Sequence, residues 1–446
     1  MAAKKNSVIN EELKDASLMD ILGGDGSSVF KTNTLVDYSY PTGIAILDYV
    51  LGYEILIRED GQIIGKRINL GLQAGSFNVI TGGTQSYKST LCYEIIANIA
   101  FKNDGNIIHY DVENRLVLQR AMDLSKLPHS WFDGSHPRYV LKSGAIGYDT
   151  LQTDITEIYM TKMAHKDILE KDTGVVDSNN KPIRLMPPTV ILVDSLSDMI
   201  SNAYDINDKK AMQNLEELRS NTYGMQAAKT LRGVLTDILP MLKEANIILI
   251  VISHLTNNVS MNAFAPPKKQ FQYGSASDRM AGGRAVEYNA SLVATFTGEI
   301  KDESRFHTNT DGFEGNTVLF EPTKVSTNKS GNAKTGLGFK IIINKQGEHA
   351  GCDNIRTLIK LLDQNGRLRG NRAGWYVLDE EGAPITNKFT WKNVYSDFEK
   401  DPQTFKTFMT VAKEELMKLV SPAADNSGKI KPFDVDSILN DLVEGD

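Results

Sequence analysis

Cysteine is nearly absent: the 446 residues hold two, Cys92 and Cys352, with no CxxC pair. That excludes a disulfide framework and fits a reducing cytosol. The seven histidines show no metal-ligand spacing, so spacing predicts no zinc site. No run approaches 18 apolar residues, which excludes a membrane-spanning helix as the chain's theme. A secretory signal is not expected either, because Lys4 and Lys5 are followed by Glu11, Glu12, Lys14 and Asp15 instead of an apolar stretch. Excess positive charge is missing too, the formal net charge being −7. This excludes a protein coated in basic residues, yet a local basic groove for nucleic acid remains compatible with it.

What is present is alternation. From Phe77 to about Leu362, short β-rich runs (FNVIT, NIIHY, TVILV, IILIVI, SLVATF, FKIII, TLIKLL) alternate with helical patterns. Buried strands separated by helices predict an α/β domain with a mostly parallel sheet flanked by helices. Lys171 to Pro188 and Glu299 to Gly338 read as loops, being rich in Asp, Asn, Pro, Thr and Gly. Residues 9–22 carry apolar positions at helical spacing before Gly23-Gly24, so 1–35 is expected to hold a short helix and a linker. Two placements are open to that helix: folded back on its own core, or docked on a neighbouring subunit. The expected organisation continues with the α/β core over 36–370, a small C-terminal domain over 371–433 with a helix near Thr404 to Leu419, and an acidic tail over 434–446.

Chemistry concentrates at strand ends. FNVIT leads into Gly82, Gly83, Thr84, Gln85, Ser86, Tyr87, Lys88, Ser89 and Thr90, and then into a helical pattern. A strand, a Gly-containing turn and a helix N-terminus together form a phosphate cradle, with Lys88 opposite β/γ charge and the Ser89 hydroxyl on Mg²⁺. The P-loop pattern expects glycine where Tyr87 stands; a left-handed backbone there would cost tyrosine roughly 1–2 kcal/mol. NIIHY ends in Asp111-Val112-Glu113, TVILV in Asp194-Ser195 and IILIVI in Ser253-His254. Asp194 is placed to hold the Mg²⁺ hydration shell, Glu113 to orient and deprotonate water, and His254 to sense a γ-phosphate.

Taken in order, these residues resemble RecA-family ATPases, and specifically the phage UvsX-type recombinases. That branch is similar in its S-aromatic-K-S loop (Ser86 to Ser89), a YDxE segment (Tyr110 to Glu113), Val193-Asp194-Ser195-Leu196, Gly374-Trp375-Tyr376 and Leu378-Asp379-Glu380-Glu381-Gly382. The resemblance covers roughly 35–420. It implies an ATP- and Mg²⁺-dependent DNA recombinase that forms a helical filament on single-stranded DNA, pairs it with homologous duplex, and works with single-strand-binding and loader proteins in the cytoplasm of an infected bacterium. It implies Glu113 as base, Lys345 as a lysine reaching the adjacent subunit's nucleotide without the usual second basic neighbour, and Arg120 against the adenine. The stretch from His254 to Val286 carries Lys268, Lys269, Phe271, Tyr273, Arg279 and Arg284 against one acid, the mixture of cations and rings that single-strand binding uses. Lys209, Lys210 and Arg219 are candidate phosphate contacts of a first DNA loop, within a stretch of helical periodicity. Two other functions remain open: a hexameric helicase with the same core, and a DNA-coating scaffold that binds nucleotide without turnover.

Overall fold

The computed structural model describes residues 36–133, 137–199, 221–257, 278–280, 283–298, 315–326, 336–344, 351–371 and 373–423. They belong to one compact unit. Its central sheet uses β1 (Phe77–Gly82), β2 (Asn106–Asp111), β3 (Tyr139–Ser143), β4 (Thr189–Asp194), β5 (Ile247–Asn257), β6 (Asp278–Met280), β7 (Leu292–Thr297), β8 (Gly315–Val325), β9 (Phe339–Asn344) and β10 (Gly351–Cys352). The order across the sheet is β10-β9-β8-β7-β1-β5-β4-β2-β3, with β6 beside the end of β5. From β7 to β3 every neighbour is parallel; β8, β9 and β10 extend that core as an antiparallel edge. The chain is therefore α/β with a large, mostly parallel sheet, as its alternating pattern predicts.

Helices cover both faces. Strand β5 shows why its sequence lacks polar alternation: Ile248, Ile250 and Ile252 point into one apolar cluster, and Ile247, Leu249 and Val251 into the other. The first cluster is completed by α1 (Lys88–Lys102), and the second by α2 (Tyr148–Ala164) and α3 (Asn221–Glu244). Among the described residues, no helix is long and apolar enough to cross a membrane.

Three expectations are corrected. Lys171 to Pro188 is not a loop: Lys171–Val176 and Pro182–Leu185 pair antiparallel, and the Asp and Asn residues form the turn between them. There Asp177 Oδ1 accepts from the Asn179 and Lys181 amides at 2.8 and 2.9 Å. The expected loop from Glu299 to Gly338 contains β8. Its Pro322 argues against a strand, but it sits at a β-bulge opposite the Val293/Ala294 step, where a missing N–H is tolerated. TLIKLL, in turn, is helical, lying inside α4 (Asn354–Gln364), which Asp353 caps by accepting from the Arg356 amide at 2.9 Å. A short apolar run buried on several sides carries no periodicity that separates strand from helix.

One buried cation makes stability depend on pH. Lys162 on α2 is 8 % exposed and donates to the Pro187 carbonyl at 2.7 Å and the Thr189 hydroxyl at 3.1 Å. Burial pushes its ammonium down to about 7. Above that value the folded chain holds Lys162 neutral while the unfolded chain stays protonated up to the ordinary lysine value of 10.5, so stability rises with pH across this window. Urea unfolding at pH 7 and 9 is expected to show a slope in the native chain that Lys162→Met lacks, the difference approaching about 1.4 kcal/mol per pH unit. Equal slopes would mean that Lys162 stays charged in the fold.

Candidate functional site

The parallel register brings the chemical strand ends to one edge. Asp194 lies beside Asp111, and His254 beside Gly82. The cleft there has a volume of about 360 Å³ and is lined by Thr84 to Thr90, Glu113, Arg115, Arg120, Asp194 and His254. It thus brings together Glu113, Lys88, His254, Asp194, Ser89, the loop residues up to Thr90 and Arg120. Gly82 and Gly83 form the loop's entry from β1.

The loop is conformationally demanding. Gly82 has φ 149°, Gln85 φ 60° and Tyr87 φ 61°, the latter two in the left-handed region. Tyr87 therefore occupies a backbone that favours glycine, and the tyrosine is retained through side-chain contacts. Its ring packs against the core, and its hydroxyl accepts from the Asn316 amide on β8. Tyr87 is also the N-cap of α1 and gives no side-chain cap, so the first-turn N–H groups face the cleft without a local side-chain acceptor. Such a helix end, with its partial positive charge, is an anion site.

Lys88 is 4 % exposed and curls back over the loop, donating to the Gly83 carbonyl at 2.5 Å and the Ser86 hydroxyl at 3.1 Å. Burial lowers its pKa, and the nearby Asp194 opposes that shift. Asp194 is pushed the other way: burial raises its carboxyl, while a hydrogen bond with Ser89 pulls it down. A hydroxyl beside a carboxylate is an oxygen set that suits a hard cation such as Mg²⁺.

Across the cleft the Glu113 carboxylate divides its oxygens. Oε1 lies 2.8 Å from His254 Nε2, and Oε2 is 3.1 Å from the Arg115 guanidinium. Strand ends lock this pair in place, because the Val112 amide donates to the Asp194 carbonyl at 2.8 Å and the His254 amide to Ser197 Oγ at 3.2 Å. Asp111 contributes by turning the chain: its Oδ2 accepts from the Leu116 amide at 2.8 Å. A carboxylate held by such hydrogen bonds beside an anion-binding loop can take a proton from water, and its imidazole partner can follow charge across the cleft.

Arg115 lines this cleft, a carboxylate oxygen of Asp198 lies within 4.8 Å of Glu113 and His254, and Gly298 packs behind the loop, although sequence reasoning finds none of the three. Arg115 follows Glu113 by two residues on a turn, and nothing in its local pattern marks it. Gly298, just past β7, backs the loop: a Cβ there would meet the Gln85 carbonyl oxygen at 2.6 Å and Ser86 Cα at 2.7 Å. Gly298→Ala is accordingly expected to displace the loop with little change in Tm and, if the loop holds a nucleotide, to weaken its affinity at least about tenfold, a loss of roughly 1.4 kcal/mol or more. Unchanged affinity, measured with a fluorescent nucleotide, would show that the loop yields freely.

Other predicted residues are not brought to the cleft. Arg279 lies on β6, whose backbone pairs with β5 through Thr256 and Leu255, and Arg284 is exposed on the short helix Gly283–Asn289. Both were expected in a loop; local pairing and a helical turn take them instead. Lys209, Lys210, Arg219, Lys268, Lys269, Phe271, Tyr273 and Lys345 lie outside the described residues, as do residues 1–35, where a short helix was expected. A scan against models of known protein families returns no match, and a search of curated proteins finds no similar sequence.

Proposed function

We propose that this chain is an ATP-driven DNA recombinase of the RecA-like, UvsX-type class. One observation carries the nucleotide half of this reading: the Lys88 loop, the Ser89–Asp194 pair and the Glu113–His254 pair converge on a single cleft at the carboxyl ends of parallel strands. In this reading the loop amides and Lys88 bind the β- and γ-phosphates, while Arg120 lies against the base. Ser89 would hold Mg²⁺ directly and Asp194 through water, the ion neutralising phosphate charge when bound. Glu113 aligns and deprotonates the attacking water, and His254 follows the γ-phosphate.

The DNA half rests on sequence and on one supporting feature. Strand β5 carries His254 and, four residues later, enters 258–277, whose two feet are paired through β6. A change at His254 therefore has a short, hydrogen-bonded route to the segment holding Lys268, Lys269, Phe271 and Tyr273. Filament assembly with Lys345 reaching a neighbour's nucleotide, and exchange with homologous duplex, complete the proposal.

The test is ATP hydrolysis with and without single-stranded DNA, together with electron-microscopic imaging. DNA-stimulated turnover by filaments is the expected result; DNA-independent turnover by closed rings would replace the recombinase with a helicase, and DNA coating without turnover by either assembly would leave a scaffold. Neutralising Lys268 and Lys269 is expected to flatten the salt dependence of single-strand binding by about 0.7 for each phosphate no longer neutralised. An unchanged slope removes them from the interface.

A further inference from the structure

Beyond its part in hydrolysis, Glu113 belongs to a second constellation. One carboxylate oxygen from Glu113, one from Asp198 and one ring nitrogen of His254 lie within 4.8 Å of one another. We propose that these three side chains form a binding site for a transition-metal dication of the Zn²⁺ or Co²⁺ kind, separate from the Ser89–Asp194 oxygen pair.

The donor set decides the class of ion. One imidazole nitrogen with two carboxylates suits borderline ions, whereas Mg²⁺ favours an all-oxygen octahedron and keeps its waters. Three protein ligands with an open position are the arrangement that Zn²⁺ adopts when it also holds water. At metal–ligand distances near 2.0–2.2 Å, tetrahedral ligand atoms stand roughly 3.3–3.6 Å apart, so the trio needs only small side-chain rotations. None of the three residues is buried, which permits such rotations.

Supporting contacts orient the ligands. Ser195 Oγ donates to Asp198 Oδ2 at 2.7 Å, and the His254 amide is held by Ser197 Oγ at 3.2 Å. Hydrogen bonds of this kind fix ligand direction and add to metal affinity. On binding, the His254 nitrogen that faces the ion presents its lone pair, giving up any proton there and exchanging its hydrogen bond with Glu113 for the metal. Sequence spacing hides the cluster because its members come from three different strands: Glu113 and Asp198 just beyond β2 and β4, and His254 within β5.

The consequence for turnover rests on the ATPase reading; the binding itself does not. An ion held by Glu113 and His254 removes the base and the sensor together, so transition metals would inhibit hydrolysis reversibly in the presence of excess Mg²⁺.

The test titrates the full chain, freed of metal by chelation and held in excess Mg²⁺, with Co²⁺ followed by visible absorption, and then displaces Co²⁺ with Zn²⁺. One equivalent with the bands of a four- or five-coordinate site is expected. Asp198→Asn and His254→Ala should each lower affinity at least about tenfold, and His129→Ala, which alters the exposed His129–Asp133 pair, should leave it unchanged. Absence of saturable binding, native affinity in both ligand variants, or weaker binding in His129→Ala would overturn the site. If circular dichroism shows that His254→Ala does not fold, Glu113→Gln, which keeps the side chain's shape, replaces it. Bound Co²⁺ with nucleotide turnover unaffected would remove Glu113 and His254 from the roles of base and sensor and leave the metal site standing, whereas no turnover in the metal-free chain with Mg²⁺ and DNA would overturn the ATPase reading alone.

Discussion

Glu113→Gln is expected to lower kcat for ATP hydrolysis by about 10²–10⁴-fold while nucleotide affinity stays within a few-fold. The asymmetry follows from the cleft's two sides. Lys88, which would bind phosphate, takes its hydrogen-bond acceptors from Gly83 and Ser86 within its own loop, so the cradle survives the change. The amide keeps the shape and can still hydrogen-bond His254, whose Nε2 stands 2.8 Å from Glu113 Oε1. What it cannot do is accept a proton from water. Single-turnover hydrolysis and fluorescent-nucleotide binding, measured on the same preparation, separate the two effects. A kcat within tenfold of the native value would place the base elsewhere, and abolished binding would make Glu113 part of the phosphate cradle instead.

Trp375→Ala is expected to destabilise the chain by about 3–5 kcal/mol in urea unfolding. Trp375 is 1 % exposed and lies on the hairpin formed by Leu368–Asn371 and Gly374–Val377. Its amide and carbonyl exchange hydrogen bonds with Phe389 at 2.8 and 3.0 Å. Around it, Phe389, Phe398 and Phe408 stack at centroid separations of 5.0–6.0 Å and belong to the same apolar cluster as α1. Two glycines allow this approach. Gly370 has φ 154°, and a Cβ there would strike the Gly374 carbonyl oxygen at 2.2 Å; Gly374 has φ 148° and would strike the Lys388 side chain. Tyr376, on the opposite face of the strand and only partly buried, should cost about 1 kcal/mol or less as Tyr376→Ala. If both variants were equally destabilised, the segment would act through its backbone and not through the indole. The Gly374-Trp375-Tyr376 segment is thus, at Trp375, a packing element first.

Much of the site was legible because its chemistry is local. A strand pattern that stops at a Gly-containing turn announces a phosphate loop, and acids placed directly after apolar runs announce strand ends, so Lys88, Ser89, Glu113, Asp194 and His254 could be named from order alone. The Tyr87 irregularity was also readable, and its φ of 61° shows that the position does favour glycine. Arg115, Asp198 and Gly298 were not readable in this way. Arg115 reaches Glu113 only through the shape of a local turn, while the roles of Asp198 and Gly298 depend on which strand lies beside which, set by a register between segments far apart in the chain.

The corrected elements of the fold have the same origin. Asp and Asn in 171–188 make the turn of a hairpin as readily as they make a loop, and only pairing decides between them. Pro322 is compatible with β8 because a bulge in β8 itself, opposite the Val293/Ala294 step, removes the need for its N–H. Thr357 to Leu362 is a helix whose start Asp353 caps, and what fixes it is packing such as Lys360, 1 % exposed, 5.5 Å from the Trp391 ring, a contact that no local pattern contains.

By itself, then, the sequence determined the α/β alternation, the two-sided burial of the central strands and the residues at their ends, since each depends on periodicity within a few residues. Tertiary structure alone decided the strand order, the antiparallel edge from β8 to β10, and the meeting of Glu113 with His254 and Asp198. Those arise from burial and hydrogen bonding between distant segments, whose free energy exists only once the sheet has closed.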